Sequence, residues 1–240
     1  MLSQIKSQLH ALASEEKAAV LRRFFKTGPG EYGEGDLFVG ITVPLVRSVA
    51  KSNIGAPLDV LGSLLQSPVH EERLCALLIL VEQYRLFAER REAIVDFYLR
   101  HTAGINNWDL VDLSAPKIIG HHALLTGDHA TLHRLSRSTL MWEQRIAMVS
   151  CLALIKADRL QTPLQLAEYL LHHPHPLMHK ATGWMLREIG KRDITPLTEF
   201  LDLHAATMPR TTLRYAIERL TPSLRQHYMQ AKNILSLRSK

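Results

Sequence analysis

Apolar residues recur every three or four positions along almost the whole chain, which is the spacing of one face of an α-helix. The opening stretch shows this pattern twice, at Ile5, Leu9 and Leu12 and then at Val20, Leu21 and Phe24. It predicts one amphipathic helix or a pair of helices. No convincing series of alternating apolar and polar residues indicates strands. The pattern therefore predicts an all-α protein.

Beyond the opening, the predicted helices come in pairs. A short helix begins at Pro44, a residue that suits the first helical position, and runs to Lys51. The later pairs are 59–66 with 69–84, 87–101 with 106–115, 128–137 with 142–157, 164–172 with 177–191, and 194–206 with 210–220. The segment 26–36 carries four of the twelve glycines and is predicted to be a structured connecting loop.

A polar residue just inside each second helix repeats at a nearly constant interval. The first four are Arg73, Asp109, Arg145 and Lys180. Their numbers differ by 36, 36 and 35, and Arg210 follows after another 30. A two-helix unit of this length is typical of HEAT-like repeats, because one helix pair cannot cover its own apolar face and must stack on its neighbours. We therefore predict an α-α superhelix (a solenoid) that forms one domain over residues 1–240, with these residues on its concave wall.

The charge balance adds a class of partner. Lys and Arg number 29 against 23 Asp and Glu, and the pI is about 9.4, which favours an anionic partner, nucleic acid before others. Three of the first four periodic residues are cations, and a curved cationic wall would match the backbone of a duplex. The sequence shows neither a membrane-spanning apolar run nor a signal peptide, and Cys75 and Cys151 fit reduced core thiols. A cytoplasmic protein is expected.

The segment 106–115 contains the most unusual combination of side chains. Trp108 and Asp112 are four residues apart, so on a helix they lie on one face, one turn from each other, and Asp109 lies beside that face. Either Asp112 is a charge that stabilises the helix, or the indole and the carboxylate together bind something cationic.

The other two tryptophans also lie beside a cation at helical spacing. Trp142 precedes Arg145 by three residues, and Trp184 follows Lys180 by four. Aromatic rings next to cations are typical of nucleic-acid-binding surfaces. A core position explains each tryptophan equally well, so both interpretations stay open at this point.

The 13 histidines do not form a recognisable metal motif. The densest cluster contains His172, His173, His175 and His179. Prolines interrupt it, and neither His-Glu-x-x-His nor paired Cys-x-x-Cys accompanies it. His121 and His122 form a second pair that lacks a third ligand nearby in sequence. We predict no metal site and expect these histidines in solvated turns. No nucleophile-elbow motif is present either.

Several motifs, taken together and in order, resemble the DNA alkylation repair family of AlkD-like glycosylases. They lie at 32–41 with Pro44, 107–112, 142–145, 183–188 and 208–214. The resemblance covers most of the chain, and it is the set that is specific, since Trp-x-x-x-Asp alone is not. It implies a HEAT-like solenoid with DNA on its concave face, and an activity that removes N3- and N7-alkylated purines.

The resemblance also implies roles for individual residues. Asp112 matches the catalytic carboxylate, and Trp108 and Trp184 match the aromatics that pack against the deoxyribose of the lesion. Arg145 matches the cation that holds the adjacent backbone. The repeat period adds further expected DNA contacts at Arg73, Lys180 and Arg210. The implied partner is double-stranded DNA carrying alkylated purines, bound by a monomer without cofactor, metal or membrane, and the bound protein would associate with the nucleoid.

The chemistry implied by the resemblance needs few groups. A cationic alkylpurine leaves as a neutral base, so no general acid and no base-extruding pocket are required, although extrusion is the usual route. Asp112 would stabilise the sugar cation or orient water. The alternative is a non-catalytic helical-repeat protein that binds branched or distorted DNA, or a protein scaffold. The loop at 28–36 is a place where lesion preference could differ from that of the best-known members.

Overall fold

The structure is a computed structural model that describes the backbone of residues 1–238 and the side chains of residues 1–231. Within residues 1–238 all named secondary-structure elements are helices, with no strand and one isolated bridge between Leu37 and Val69. The predicted all-α fold class is confirmed. In the same residues, no helix has the length and apolar character needed to cross a membrane.

The chain divides into two compact units, 1–114 and 115–240. The first contains α1 (Leu2–His10), α2 (Glu15–Phe24), α3 (Val43–Ser52), α4 (Leu58–Leu65), α5 (His70–Leu86), α6 (Arg91–Arg100) and α7 (Trp108–Ser114). The second contains α8 (His121–Thr126), α9 (Ala130–Ser136), α10 (Met141–Lys156), α11 (Gln161–Tyr169), α12 (Pro176–Arg192), α13 (Ile194–His204), α14 (Arg210–Ala216) and α15 (Pro222–Arg238). The single domain expected over 1–240 stays a prediction.

Helix α5 is the centre of the first unit. After its charged first turn it runs through an apolar stretch, Leu74–Val81, that is buried on every side. A helix that is apolar all round has to be enclosed by its neighbours. Helices α3 and α4 pack against α5, and α7 lies against it as well. The position of α7 is therefore set by the most buried helix of the unit.

The second unit stacks its helices as the repeat period predicted. Helices α10, α12 and α14 pack side by side, and α9, α11 and α13 pack on them in order. Gly183 allows a close approach of α12 to α14, because a Cβ there would lie 2.6 Å from both the Thr212 carbonyl oxygen and the Tyr215 Cβ. Glycine at 183 thus fixes how α12 meets α14.

The segment between 116 and 126 departs from the sequence prediction, which left it without a helix. It forms a π-helical turn, Pro116–Gly120, followed by α8. The Gly120 N–H donates to the Ala115 carbonyl at 2.9 Å, an i→i+5 bond. A proline ordinarily ends or kinks an α-helix, whereas the wider turn accommodates Pro116 here. His121 and His122 consequently lie on a helix and not in a solvated turn.

The glycine-rich loop is irregular, as predicted, and is ordered by its own acids. The Glu31 carboxylate accepts the Gly28 N–H at 3.0 Å, and the Glu34 carboxylate accepts the Gly30 N–H at 2.9 Å. The Gly33 N–H donates to the Lys26 carbonyl at 3.1 Å, which folds the loop back onto the end of α2. This path brings Asp36, at the end of the loop, into the core of the unit.

Candidate active site

Helix α7 carries Trp108 at its first residue and Asp112 one turn later, and both side chains are half-buried. The side chains of Asn107, just before the helix, and of Asp109, in its first turn, hold its start. The Asn107 Oδ1 accepts the Trp108 N–H at 2.8 Å, and the Asp109 Oδ1 accepts the Leu110 N–H at 2.8 Å. These acceptors satisfy N–H groups that a helix start otherwise leaves open.

Aromatic packing fixes the Trp108 indole. The ring stacks on Phe25 with centroids 5.3 Å apart, and it meets Phe24 edge-on at 5.9 Å. Phe25 is buried, whereas Phe24 is 60% exposed. One face of the indole is therefore held by the core, and the unit presents aromatic surface next to it.

Asp112 lies close to a buried phenol. Burial raises the pKa of Tyr98 far above its usual range, and the nearby Asp112 carboxylate adds to the rise. The Tyr98 hydroxyl is 2.9 Å from the Ser114 hydroxyl. The Tyr98 phenol thus stays neutral next to the Asp112 carboxylate.

A buried ionic cluster lies behind the start of α7, and we refer to it as the Asp36 network. The His70 ring bonds Asp36 through Nδ1 at 3.0 Å and Asp109 through Nε2 at 2.9 Å. Asp36 also accepts from Arg73 at 2.6 Å and from the Asn107 amide at 3.1 Å. Asn107 and Asp109 belong to the turn that starts α7, so the network ties α5 and the loop end to α7.

The charges of the Asp36 network stabilise one another. Burial alone would lower the pKa of His70, but hydrogen bonds to Asp109 and Asp36 raise it overall. Burial alone would raise the pKa of Asp36, but the His70 hydrogen bond and the Arg73 charge lower it overall. The result is a protonated imidazole that donates to a carboxylate on either side.

A row of stacked rings joins this network to the half-buried indole of Trp108. The Phe38 ring stacks on His70 at 4.5 Å and on Phe25 at 4.9 Å, and Phe25 in turn stacks on Trp108. Trp108 is thereby positioned twice, through its backbone by Asn107 and through its ring by this stack.

The backbone around Phe38 is anchored by a second buried acid, Glu71. Its carboxylate accepts the N–H groups of Val39, Gly40 and Ile41 at 3.2, 2.8 and 3.1 Å. Gly40 has φ +87°, and a Cβ there would lie 2.0 Å from the Ser14 carbonyl oxygen, so only glycine fits. This anchor keeps the ring of Phe38 in the stack.

In the first unit, the cation expected on the concave wall does not lie on an open surface. Arg73 was predicted on an open surface, but it is 4% exposed and its guanidinium is bound to Asp36 and to the Ser67 carbonyl. The physical reason is that the buried Asp36 carboxylate needs a cation. Asp109, the next periodic residue, is also buried and belongs to the Asp36 network through His70. The period thus identified two residues, Arg73 and Asp109, that belong to one network. Their burial could not be predicted from it, because it depends on Asp36, which is far away in sequence.

In the second unit the expected residues occupy different environments. Arg145 is buried, and its Nη1 donates to the Leu177 carbonyl in the first turn of α12 at 2.7 Å. Lys180 is exposed, and Trp184 is half-buried on the same helix. Arg210 is half-buried and donates to the Met229 carbonyl of α15 at 3.0 Å.

No set of three or more His, Cys, Asp or Glu side chains in the described part of the chain has a geometry that could hold a metal. The Nδ1 atoms of His173 and His175 accept backbone N–H groups, and burial lowers the pKa of both rings. Cys75 and Cys151 are free and buried, and burial raises the pKa of each to about 12. Both are core thiols, as predicted.

The raised pKa of His70 gives a pH dependence of stability. The contribution is complete below the ordinary histidine value of 6.5 and is lost as pH rises through the higher folded pKa. We expect the free energy of unfolding, measured by urea denaturation, to decline as the pH rises from 6.5 through the folded pKa of His70. His70→Gln should remove that part of the decline. Parallel pH profiles of the two proteins would contradict a charged His70.

Comparisons with known proteins identify a family and a similar fold. A model of the DNA alkylation repair enzyme family matches residues 5–220. No curated protein is similar enough to match. The solved structure of a protein from Enterococcus faecalis, described as a predicted DNA alkylation repair enzyme, superposes with a TM-score of 0.66 at 18% identity, covering 88% of this chain and 97% of that one. At this identity the superposition shows the fold alone.

Proposed function

The chain belongs to the DNA alkylation repair enzyme family, and on that premise we propose that it is a monofunctional DNA glycosylase. It hydrolyses the N-glycosidic bond of positively charged N3- or N7-alkylated purines in duplex DNA. The observation that carries the proposal is the pair Trp108 and Asp112, half-exposed and one turn apart on a helix whose start is fixed by the Asp36 network.

The leaving group explains why so few groups are needed. An N3- or N7-alkylpurine is already cationic, so it departs as a neutral base without an acid. The positive charge then develops on the deoxyribose, as in other oxocarbenium-like transition states. A carboxylate about 4 Å from that charge, at an effective dielectric near 20, interacts by about 4 kcal/mol. Asp112 is the group to which we assign this interaction, either directly or through a water that it orients.

The tryptophans supply the second interaction. An indole face attracts a cation by about 0.5–2 kcal/mol, and most when water is excluded. Trp108 suits this role because its ring is held in place by Phe25 and needs no reorganisation when the sugar charge forms. Trp184 keeps the role that the family resemblance implies. The lesion would remain stacked in the duplex.

The proposed contacts to the DNA backbone are Arg145, Lys180 and Arg210. Arg145 keeps the backbone contact that the family resemblance implies. Its side chain is buried and its guanidinium donates to the Leu177 carbonyl, so little side-chain freedom would be lost on binding. Lys180 is exposed and would act as a mobile point charge. We leave out Arg73, whose charge balances Asp36. The protein would act as a monomer.

Release of 3-methyladenine and 7-methylguanine from methylated duplex DNA tests the proposal. The wild-type protein should release both bases and leave intact abasic strands, because no lysine belongs to the catalytic group. Unmethylated duplex of the same sequence is the control. Binding of the duplex without release of either base would overturn the enzymatic assignment and favour a non-catalytic DNA-binding protein.

A further inference from the structure

The positive charge of the chain is concentrated at its C-terminal end. Residues 219–240 contain no Asp or Glu and five basic residues, namely Arg219, Arg225, Lys232, Arg238 and Lys240. They account for +5 of the formal net charge of +6, which leaves +1 for residues 1–218. The match to the family model ends at residue 220, so helix α15 lies outside it. The basic character of this protein therefore comes mostly from a part beyond the family match.

Helix α15 packs on α14 and forms a cavity of about 460 Å³ with it. The lining residues are Arg214, Ile217, Pro222, Arg225, Gln226 and Met229. Arg214 comes from α14, whereas Arg225 and Gln226 come from α15. The cavity is thus bounded by two cations from different helices, an amide, and an apolar floor.

The two cavity arginines differ from other arginines of the second unit in their partners. Arg192 is bidentate to Asp158 at 2.7 Å, and Arg187 is bound to Glu218. Among the side chains of residues 1–231, no carboxylate lies within ion-pairing distance of Arg214 or Arg225. Their charges are left for a partner from outside these residues.

Arg210 adds a third cation next to this site. It lies one helical turn before Arg214, and its Nη2 donates to the carbonyl of Met229, a lining residue, at 3.0 Å. Its Nη1 is buried and has no acceptor among the described residues. A buried donor left unsatisfied destabilises the fold. An oxygen of a bound anion that reached this atom would satisfy it.

We propose that the α14–α15 site, formed by Arg210, Arg214, Arg225 and Gln226, binds the phosphate backbone of duplex DNA. It would be a second contact in addition to the lesion site. Arginine forks fit phosphate oxygens bidentately, and glutamine amides also contact phosphates. The inference deepens the proposed function, since it rests on duplex DNA being the substrate. The site reads no base, so undamaged and methylated duplexes should depend on it equally.

The test is the salt dependence of binding to an undamaged duplex. In the full-length protein, Arg214→Gln/Arg225→Gln should make the slope of log K against log salt less steep by about 1.8, or about 0.9 for each lost phosphate contact. The matched control is Arg85→Gln/Arg192→Gln, which removes the same charge from exposed arginines that are paired with Glu82 and Asp158. The control should keep the wild-type slope.

Three results would overturn the α14–α15 site, and two of them come from the slopes. One is an unchanged slope in the cavity variant, and the other is an equal loss in the control, which would indicate a general charge effect. Loss of binding to vesicles of phosphatidylserine and phosphatidylcholine, with an unchanged DNA slope, would assign the site to membranes and also overturn it. Base release measured with saturating wild-type protein tests the glycosylase proposal separately from the α14–α15 site. A duplex slope that depends on these arginines, without base release by the wild type, would support the site and reject the enzyme.

Discussion

Asp112→Asn should bind methylated duplex DNA as the wild type does and lose base release by about a thousandfold. Asparagine has nearly the size of aspartate, so the packing of α7 against Tyr98 is kept while the negative charge is removed. About 4 kcal/mol of attraction to the sugar cation disappears, and each 1.36 kcal/mol corresponds to a factor of ten in rate. Since the interaction acts in the transition state, the loss should fall on the rate at saturation and not on affinity.

Single-turnover release of 7-methylguanine, with protein in excess over DNA, measures that rate directly. Asp96→Asn is the matched control, because Asp96 is an exposed aspartate on α6 of the same unit and its replacement makes the same charge change. The control should release base at the wild-type rate. If Asp112→Asn retained wild-type release, Asp112 would not be the catalytic carboxylate. Its charge would then serve only to stabilise α7.

The parts of the fold that sequence could predict are those with a local cause. Helix pairs follow from apolar spacing, and the period of about 36 residues follows from the need of each pair to stack on the next. The turn at Pro116 was missed because proline signals a helix end locally. Its actual conformation depends on Gly120, where a Cβ would lie 2.1 Å from the Ser150 carbonyl oxygen, a contact between distant segments.

The candidate site also has one part that the sequence could predict and one part that it could not. Trp108 and Asp112 could be singled out because four-residue spacing on a helix is local. The Asp36 network could not, since Asp36, His70 and Asp109 lie 34 and 39 residues apart in sequence. One signal was available. His70-Glu71-Glu72-Arg73 directly precedes the apolar run of α5, and a charged turn that opens a fully buried helix must find partners inside the protein.

The glycine-rich loop gains a purpose from this network. The loop affects the site through Asp36, the residue that ends it. Asp36 brings a carboxylate between His70 and Arg73 and accepts the amide of Asn107, the residue that starts α7. A change in the loop would therefore alter the placement of Trp108 and Asp112 without touching either.

Asp36→Asn should lower the free energy of unfolding by about 3–5 kcal/mol, the usual cost of removing one partner of a buried ion pair. The amide keeps the shape of the side chain but leaves the Arg73 and His70 charges without their shared carboxylate. Urea denaturation at neutral pH measures the loss. Glu34→Gln on the same loop is the control, because Glu34 is exposed and should change stability little.

A double-variant cycle decides whether the loss reflects the uncompensated charge. In Asp36→Asn/Arg73→Met the stranded guanidinium is absent, so the double variant should be destabilised by clearly less than the sum of the two single variants, with a coupling of about 0.5–3 kcal/mol. Because the pKa of Asp36 is lowered in the fold, the wild type should also lose this contribution as pH falls below the ordinary value of 3.8, and Asp36→Asn should not. Additive losses would mean that the two side chains stabilise the unit independently. The start of α7 would then be held by Asn107 and the aromatic stack without the help of the buried charges.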